Sequence, residues 1–168
     1  MIIAGPLIAV AQSAPVSKIF DKYNGKEGYT TVIVTKAMFD LFETVSSDAS
    51  DKDFKDITSK LNSIRILAVD SEAIAGKGNE FYREMMRLFP SSEYDELMTI
   101  NDGGEEIKFL IRKKGEEIVE LVMVAGGSDP CLIDLDGNIN LKQVSKLSKS
   151  MNLKGFDHLN NVPAKTGK

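Results

Sequence analysis

Residues 105–125 read EEIKFLIRKKGEEIVELVMVA, and the fold is decided there. Ile107, Phe109 and Ile111 alternate with Lys108 and Arg112. After Lys114-Gly115, Val119, Leu121 and Met123 alternate with Glu120. Period-two alternation on both sides of a glycine turn is the pattern of a β-hairpin with one buried and one wetter face. The pattern extends outward through Asp102-Gly103-Gly104 to a strand over 97–100, and forward to another over 131–136. Strands this close in sequence pair antiparallel, giving a four-stranded C-terminal meander over 97–136.

The first half has a different rhythm. Val16, Ile19, Phe20 and Tyr23 fall at helical spacing, and Asn24-Gly25 stops them. Residues 29–35 are rich in β-branched side chains and read as a strand. Over 37–45, helical spacing predicts an inward face of Met38, Leu41, Phe42 and Val45. Ser50 with Asp53 resembles a capping box for a helix burying Phe54, Ile57 and Leu61. Residues 63–70 form a second strand, with Ile64, Ile66 and Ala68 opposite Leu67 and Val69. A helix then runs to Phe89, carrying Phe81, Met85 and Leu88, and Pro90 ends it. A last helix is capped by Asn140 and turns Leu141, Val144, Leu147 and Met151 inward. The predicted fold class is α+β: a mostly antiparallel sheet, with the C-terminal meander plus two earlier strands, and helices packed mainly on one face.

At 168 residues the chain suits one domain, able to bury a core without disulfides or a structural metal. The net charge of −4 supplies no global field for nucleic acid, so no nucleic-acid partner is expected. The apolar run over 2–10, followed by Ala9-Val10-Ala11 and Gln12, reads as a signal peptide over 1–11, although Gly5-Pro6 interrupts it and no basic residue precedes it. The expected mature chain is one domain over 12–156 and a polar tail over 157–168, without a transmembrane segment, in the periplasm or secreted.

Several stretches resemble one family. They are Thr31-Val32-Ile33-Val34-Thr35-Lys36-Ala37-Met38-Phe39, Ile64-Arg65-Ile66-Leu67, Tyr94-Asp95-Glu96-Leu97-Met98, the Asp102-Gly103 turn, and Ile133 through Leu141. Together, and in this order, they resemble the domain of unknown function 4252 family of small exported proteins from Bacteroides-like bacteria. The resemblance implies an envelope or extracellular address and a single α+β domain, and brings no catalytic or binding residues with it.

Chemistry-bearing residues are few. The single histidine, His158, lies in the polar tail, away from any nucleophile, so no catalytic residue is assigned and no cofactor is expected. One histidine and one cysteine do not make an ordinary zinc site. Cys131, within an apolar run, reads as a buried inert thiol. Asp134 and Asp136 are the best carboxylate pair, two residues apart on a strand and facing the same way. They are the candidates for a metal or a carboxylate-based reaction, against the plainer reading of a strand end and turn before a capped helix. An EF-hand loop needs glycine at its sixth position, whereas Gly137 falls at the fourth. The Asp48, Asp51 and Asp53 cluster reads as a solvated loop. Ala75-Gly76-Lys77-Gly78-Asn79 lacks the hydroxyl of a phosphate loop and reads as a flexible helix entrance. Lys142, Lys146 and Lys149 form a basic stripe that would meet an anionic partner if it is more than a solvated face. The sequence thus favours a non-enzymatic envelope protein that binds an envelope protein or a small ligand. The alternative is a carboxylate-based or metal-assisted enzyme, or a calcium-binding domain, built on Asp134 and Asp136.

Overall fold

In the computed structural model, residues 14–45, 55–56, 58–70, 72 and 76–142 are described. Helix α1 (Ala14–Tyr23) buries Val16, Ile19, Phe20 and Tyr23, the i, i+3, i+4, i+7 stripe of an amphipathic helix. Pro15 sits in its first turn, where a missing N–H costs nothing. Gly25 ends it in the left-handed conformation at φ 71°. Strand β1 (Tyr29–Thr35) runs without a loop into α2 (Lys36–Val45). Strand β2 (Leu61–Val69) leads to α3 (Gly78–Met86), and Pro90 accepts the backbone N–H groups of Glu93 and Tyr94 as the chain turns. Strands β3 (Asp95–Asp102), β4 (Glu105–Lys114), β5 (Glu117–Ala125) and β6 (Cys131–Gly137) follow.

The six strands form one sheet in the order β1-β2-β6-β5-β4-β3. The two tight hairpins fall where the glycines predict: Asp102 pairs with Glu105 across Gly103-Gly104, and Lys114 with Glu117 across Gly115-Glu116. The α+β class and antiparallel sheet match the expectation, but the arrangement differs in detail. β1 and β2 pair antiparallel despite the helical connection between them, and β6 lies inside the sheet, between β2 and β5.

Both faces of the sheet are apolar. On one, α1 and α3 cover Leu67, Val69, Leu110, Val122, Val124 and Leu132. On the other, Phe39 of α2 joins Leu61, Phe109, Ile111, Leu121, Met123, Ile133, Leu135 and Ile139, with Leu141 packed against them. Packing mainly on one face is therefore corrected to packing on both. The expected wetter face of the meander is corrected too, since Glu120 is fully buried. The strands carry near-continuous apolar runs because the sheet is the middle layer.

Two details of the helical reading also change. Phe39 points inward, while Met38 and Leu41 are exposed, because α2 starts directly off β1 and its phase is pinned by Thr35. Leu61 opens β2 rather than closing the preceding helix. The capping box, the Asp48, Asp51 and Asp53 cluster, His158, Lys146, Lys149, and the expected leader and tail lie outside the described residues. Asn140 acts as the expected cap, its Oδ1 accepting the Lys142 N–H at 3.1 Å. Lys142 itself is exposed. Met85 and Met123 are buried and Met86 partly so, as core positions.

The glycine-rich entrance to α3 is a packing device. Gly78 is buried, and a Cβ there would stand 2.0 Å from the Gly127 carbonyl oxygen in the β5–β6 turn. The helix thus docks backbone to backbone against the sheet end.

Candidate functional site

Strand alternation puts Ser63 and Arg65 of β2, Asp134 and Asp136 of β6, Glu120 of β5 and Arg112 of β4 on the α1–α3 face. Register brings them into rows. Arg65 lies opposite Asp134, Ser63 opposite Asp136, Asp136 opposite Glu120, and Glu120 opposite Arg112. The expected carboxylate pair does share a face, and both members are buried. Each has a protein partner. The Arg65 Nε–H donates to Asp134 Oδ2 at 2.9 Å, and Nη2 lies 2.7 Å from the same oxygen as an ionic contact without hydrogen-bond alignment. The Asn62 amide donates to Asp136 Oδ1 at 2.8 Å.

Arg65 is also tied to α1. Its Nη1 donates to Ser17 Oγ at 3.3 Å, and the guanidinium carbon stands 5.8 Å from the Phe20 ring centroid, within cation–π range. Across the sheet, Glu120 Oε2 accepts from Arg112 Nε at 2.6 Å and from the Tyr94 hydroxyl at 3.0 Å. Tyr94 reaches this position because Pro90 turns the chain and Phe89 packs edge-on against its ring at 5.1 Å. Burial, the largest cause, and the neighbouring Glu120 charge push the Asp134 carboxyl up to about 8, with Arg65 pulling the other way.

Beside this network a cleft of about 500 Å³ opens between α1 and the β1–β2–β6 end of the sheet. Ser17, Phe20 and Asp21 of α1 form one wall, Ile33 and Lys36 another, and Arg65 and Asp136 line its sheet side. Charges of both signs and two apolar side chains thus meet around one volume, within the size range of small-molecule sites. Among the described residues, no group of three or more His, Cys, Asp or Glu is placed to hold a metal ion. No helix among them is long and apolar enough to cross a membrane.

Sequence reasoning singled out Asp134 and Asp136 but missed Arg65, Glu120, Arg112 and Tyr94 as their company. One signal was available: Arg65 and Glu120 are lone charges inside apolar runs, and a buried strand tolerates such a charge only when it is paired. Cys131 opens β6 half-buried, its thiol pushed up to about 11 first by burial and then by Asp129, as fits an inert thiol.

Comparison with known proteins finds no match among curated proteins and none among solved structures. A family model does match, over residues 23–147: Domain of unknown function (DUF4252).

Proposed function

That the chain belongs to the DUF4252 family is the premise from which we propose an exported binding protein of the cell envelope, holding a small polar ligand in the cleft between α1 and β2. The observation that carries this reading is the cleft itself, with Arg65 and Lys36 beside Asp21 and Asp136. Such a wall favours a ligand bearing both an anionic and a cationic group, and the Phe20 and Ile33 surfaces favour a short apolar body between them. Arg65 and Asp136 are held by neighbours, so the site is pre-organised and loses little side-chain freedom on binding.

Export rests on the apolar leader and the small residues before Gln12. Fractionation with N-terminal sequencing tests it: a mature chain starting at Gln12 outside the cytoplasm supports it, and an intact Met1 in the cytoplasm refutes it. Binding is tested by titrating the mature chain with free amino acids while following backbone NMR signals. Saturable shifts at Ser17, Ile33 and Arg65 support the cleft as the site. Unmoved signals at these residues across millimolar concentrations of acidic, basic and neutral amino acids would remove it.

A second reading, a carboxylate-based enzyme, draws on one observation. Asp136 lines the cleft and Asp134 behind it is raised toward the range of a general acid. Asp134 is fully buried and engaged by Arg65, which favours a supporting role over contact with a substrate.

A further inference from the structure

Five ionisable side chains from four neighbouring strands share the α1–α3 face: Arg112, Glu120, Asp134, Asp136 and Arg65. Three carboxylates against two guanidiniums leave one negative charge without a counter-ion. The oxygens can be followed one by one. Glu120 Oε2 takes Arg112 and Tyr94, Asp134 Oδ2 takes Arg65, and Asp136 Oδ1 takes Asn62. Of the three that remain, Asp136 Oδ2 is not a buried orphan, whereas Glu120 Oε1 and Asp134 Oδ1 are buried and served by no donor. Their residues are diagonal neighbours on adjacent strands, within reach of a long side chain. Two ionised carboxylates have no hydrogen to offer, so a bond between these two oxygens forms only when one of them carries a proton.

We propose that the folded protein binds one proton between Asp134 and Glu120 at neutral pH, which makes the five-residue cluster electrically neutral. Asp134 Oδ1–H donates to Glu120 Oε1, and the proton comes from solvent on folding. Desolvation disfavours the charged form of a fully buried Asp134, and the nearby Glu120 charge acts the same way. Other polar and charged groups line the same face or the adjoining cleft. From α1 come the Ser17 hydroxyl and, at the cleft, Asp21; from β2, Asn62 and Ser63; from the start of α2, Lys36, bonded to Asp40. From α3 the side chains packed here are apolar, Phe81 and Met85, while Glu84 is tied to Lys22 and Tyr23. The shared proton does not depend on a ligand in the cleft, so it stands or falls separately from the binding reading.

The test is a carboxyl ¹³C NMR titration of the full mature chain labelled at Asp and Glu. The expected result is that Asp134 Cγ responds in one step above the ordinary carboxylate range. An Asp134 carboxyl already ionised at pH 6 would overturn the proposal. In Glu120→Gln, which keeps an oxygen for Arg112 and Tyr94, the Asp134 midpoint should fall by about one pH unit or more as the like charge disappears. An unchanged midpoint would place the proton outside this pair. Because the wild-type titration alone can refute the idea, a poorly folding variant does not rescue it.

Discussion

Replacing Arg65 with alanine should be among the most damaging single changes in this protein. Its side chain is 5% exposed and Asp134 is 0% exposed, so a cation lost from the neutral cluster is not replaced by water. Removing the guanidinium leaves the buried carboxylates with Arg112 as the remaining arginine of the cluster. Breaking a buried ion pair by deleting one partner costs about 3–5 kcal/mol, because the surviving charge is left uncompensated. The Phe20 contact adds about 0.5–2 kcal/mol. Against a total stability of about 5–15 kcal/mol this is a large fraction, and it should lower Tm by roughly 7–28 °C. Urea unfolding followed by far-UV circular dichroism is the assay, since the chain has no tryptophan. The deficit should shrink between pH 7 and pH 5, as the orphaned carboxyls take up a proton in place of the lost cation. Arg65→Lys, which keeps the charge without the planar fork, should lose less. A loss under about 1 kcal/mol at pH 7 would refute the reasoning. A deficit independent of pH would assign the cost to packing alone.

Stability should also fall as the wild type is made alkaline. The Asp134 carboxyl is raised in the folded state, to about 8, so its contribution is complete below the unfolded carboxyl value and is lost as pH rises through the folded one. The slope is at most about 1.4 kcal/mol per pH unit for one proton, measurable as a urea midpoint that drops from pH 6 to pH 8.5 and flattens in Asp134→Asn. Gly78→Ala should destabilise by about 1–3 kcal/mol or more, because its Cβ meets a backbone carbonyl that cannot rotate away. Gly25→Ala has open space around it and should cost only the left-handed conformation, about 1–2 kcal/mol. Thermal melts of the two variants check the contrast. Cys131 should react with a thiol reagent at neutral pH far more slowly in the native protein than in urea; equal rates would contradict its burial and raised thiol pKa.

The meander was legible because Ile107, Phe109 and Ile111 alternate and the glycines mark turns of fixed length. Asp134 and Asp136 were found together by the same period-two rule. What sequence spacing could not supply was the partner across the sheet. Arg65 and Asp134 are far apart in the chain, and only the insertion of β6 beside β2 makes them opposites. Glu120 was misplaced for a related reason: alternation shows that it faces away from Leu121, but not that a second helical layer covers that side. Phe39 illustrates a limit of helical spacing, since the strand that feeds α2 set its rotation. Gly78 read as a loosener of backbone because its contact, Gly127, lies on a distant turn.

The position of β6 has a consequence for how the chain is made. The last of the described strands in sequence is the one that joins the β1–β2 pair to the β3–β4–β5 block. Until residue 137 has left the ribosome, the two blocks have no strand between them, and the edges that will flank β6 stay open. A nascent or truncated chain ending before Cys131 therefore exposes two sticky ribbons, each a target for chaperones or for its own copies.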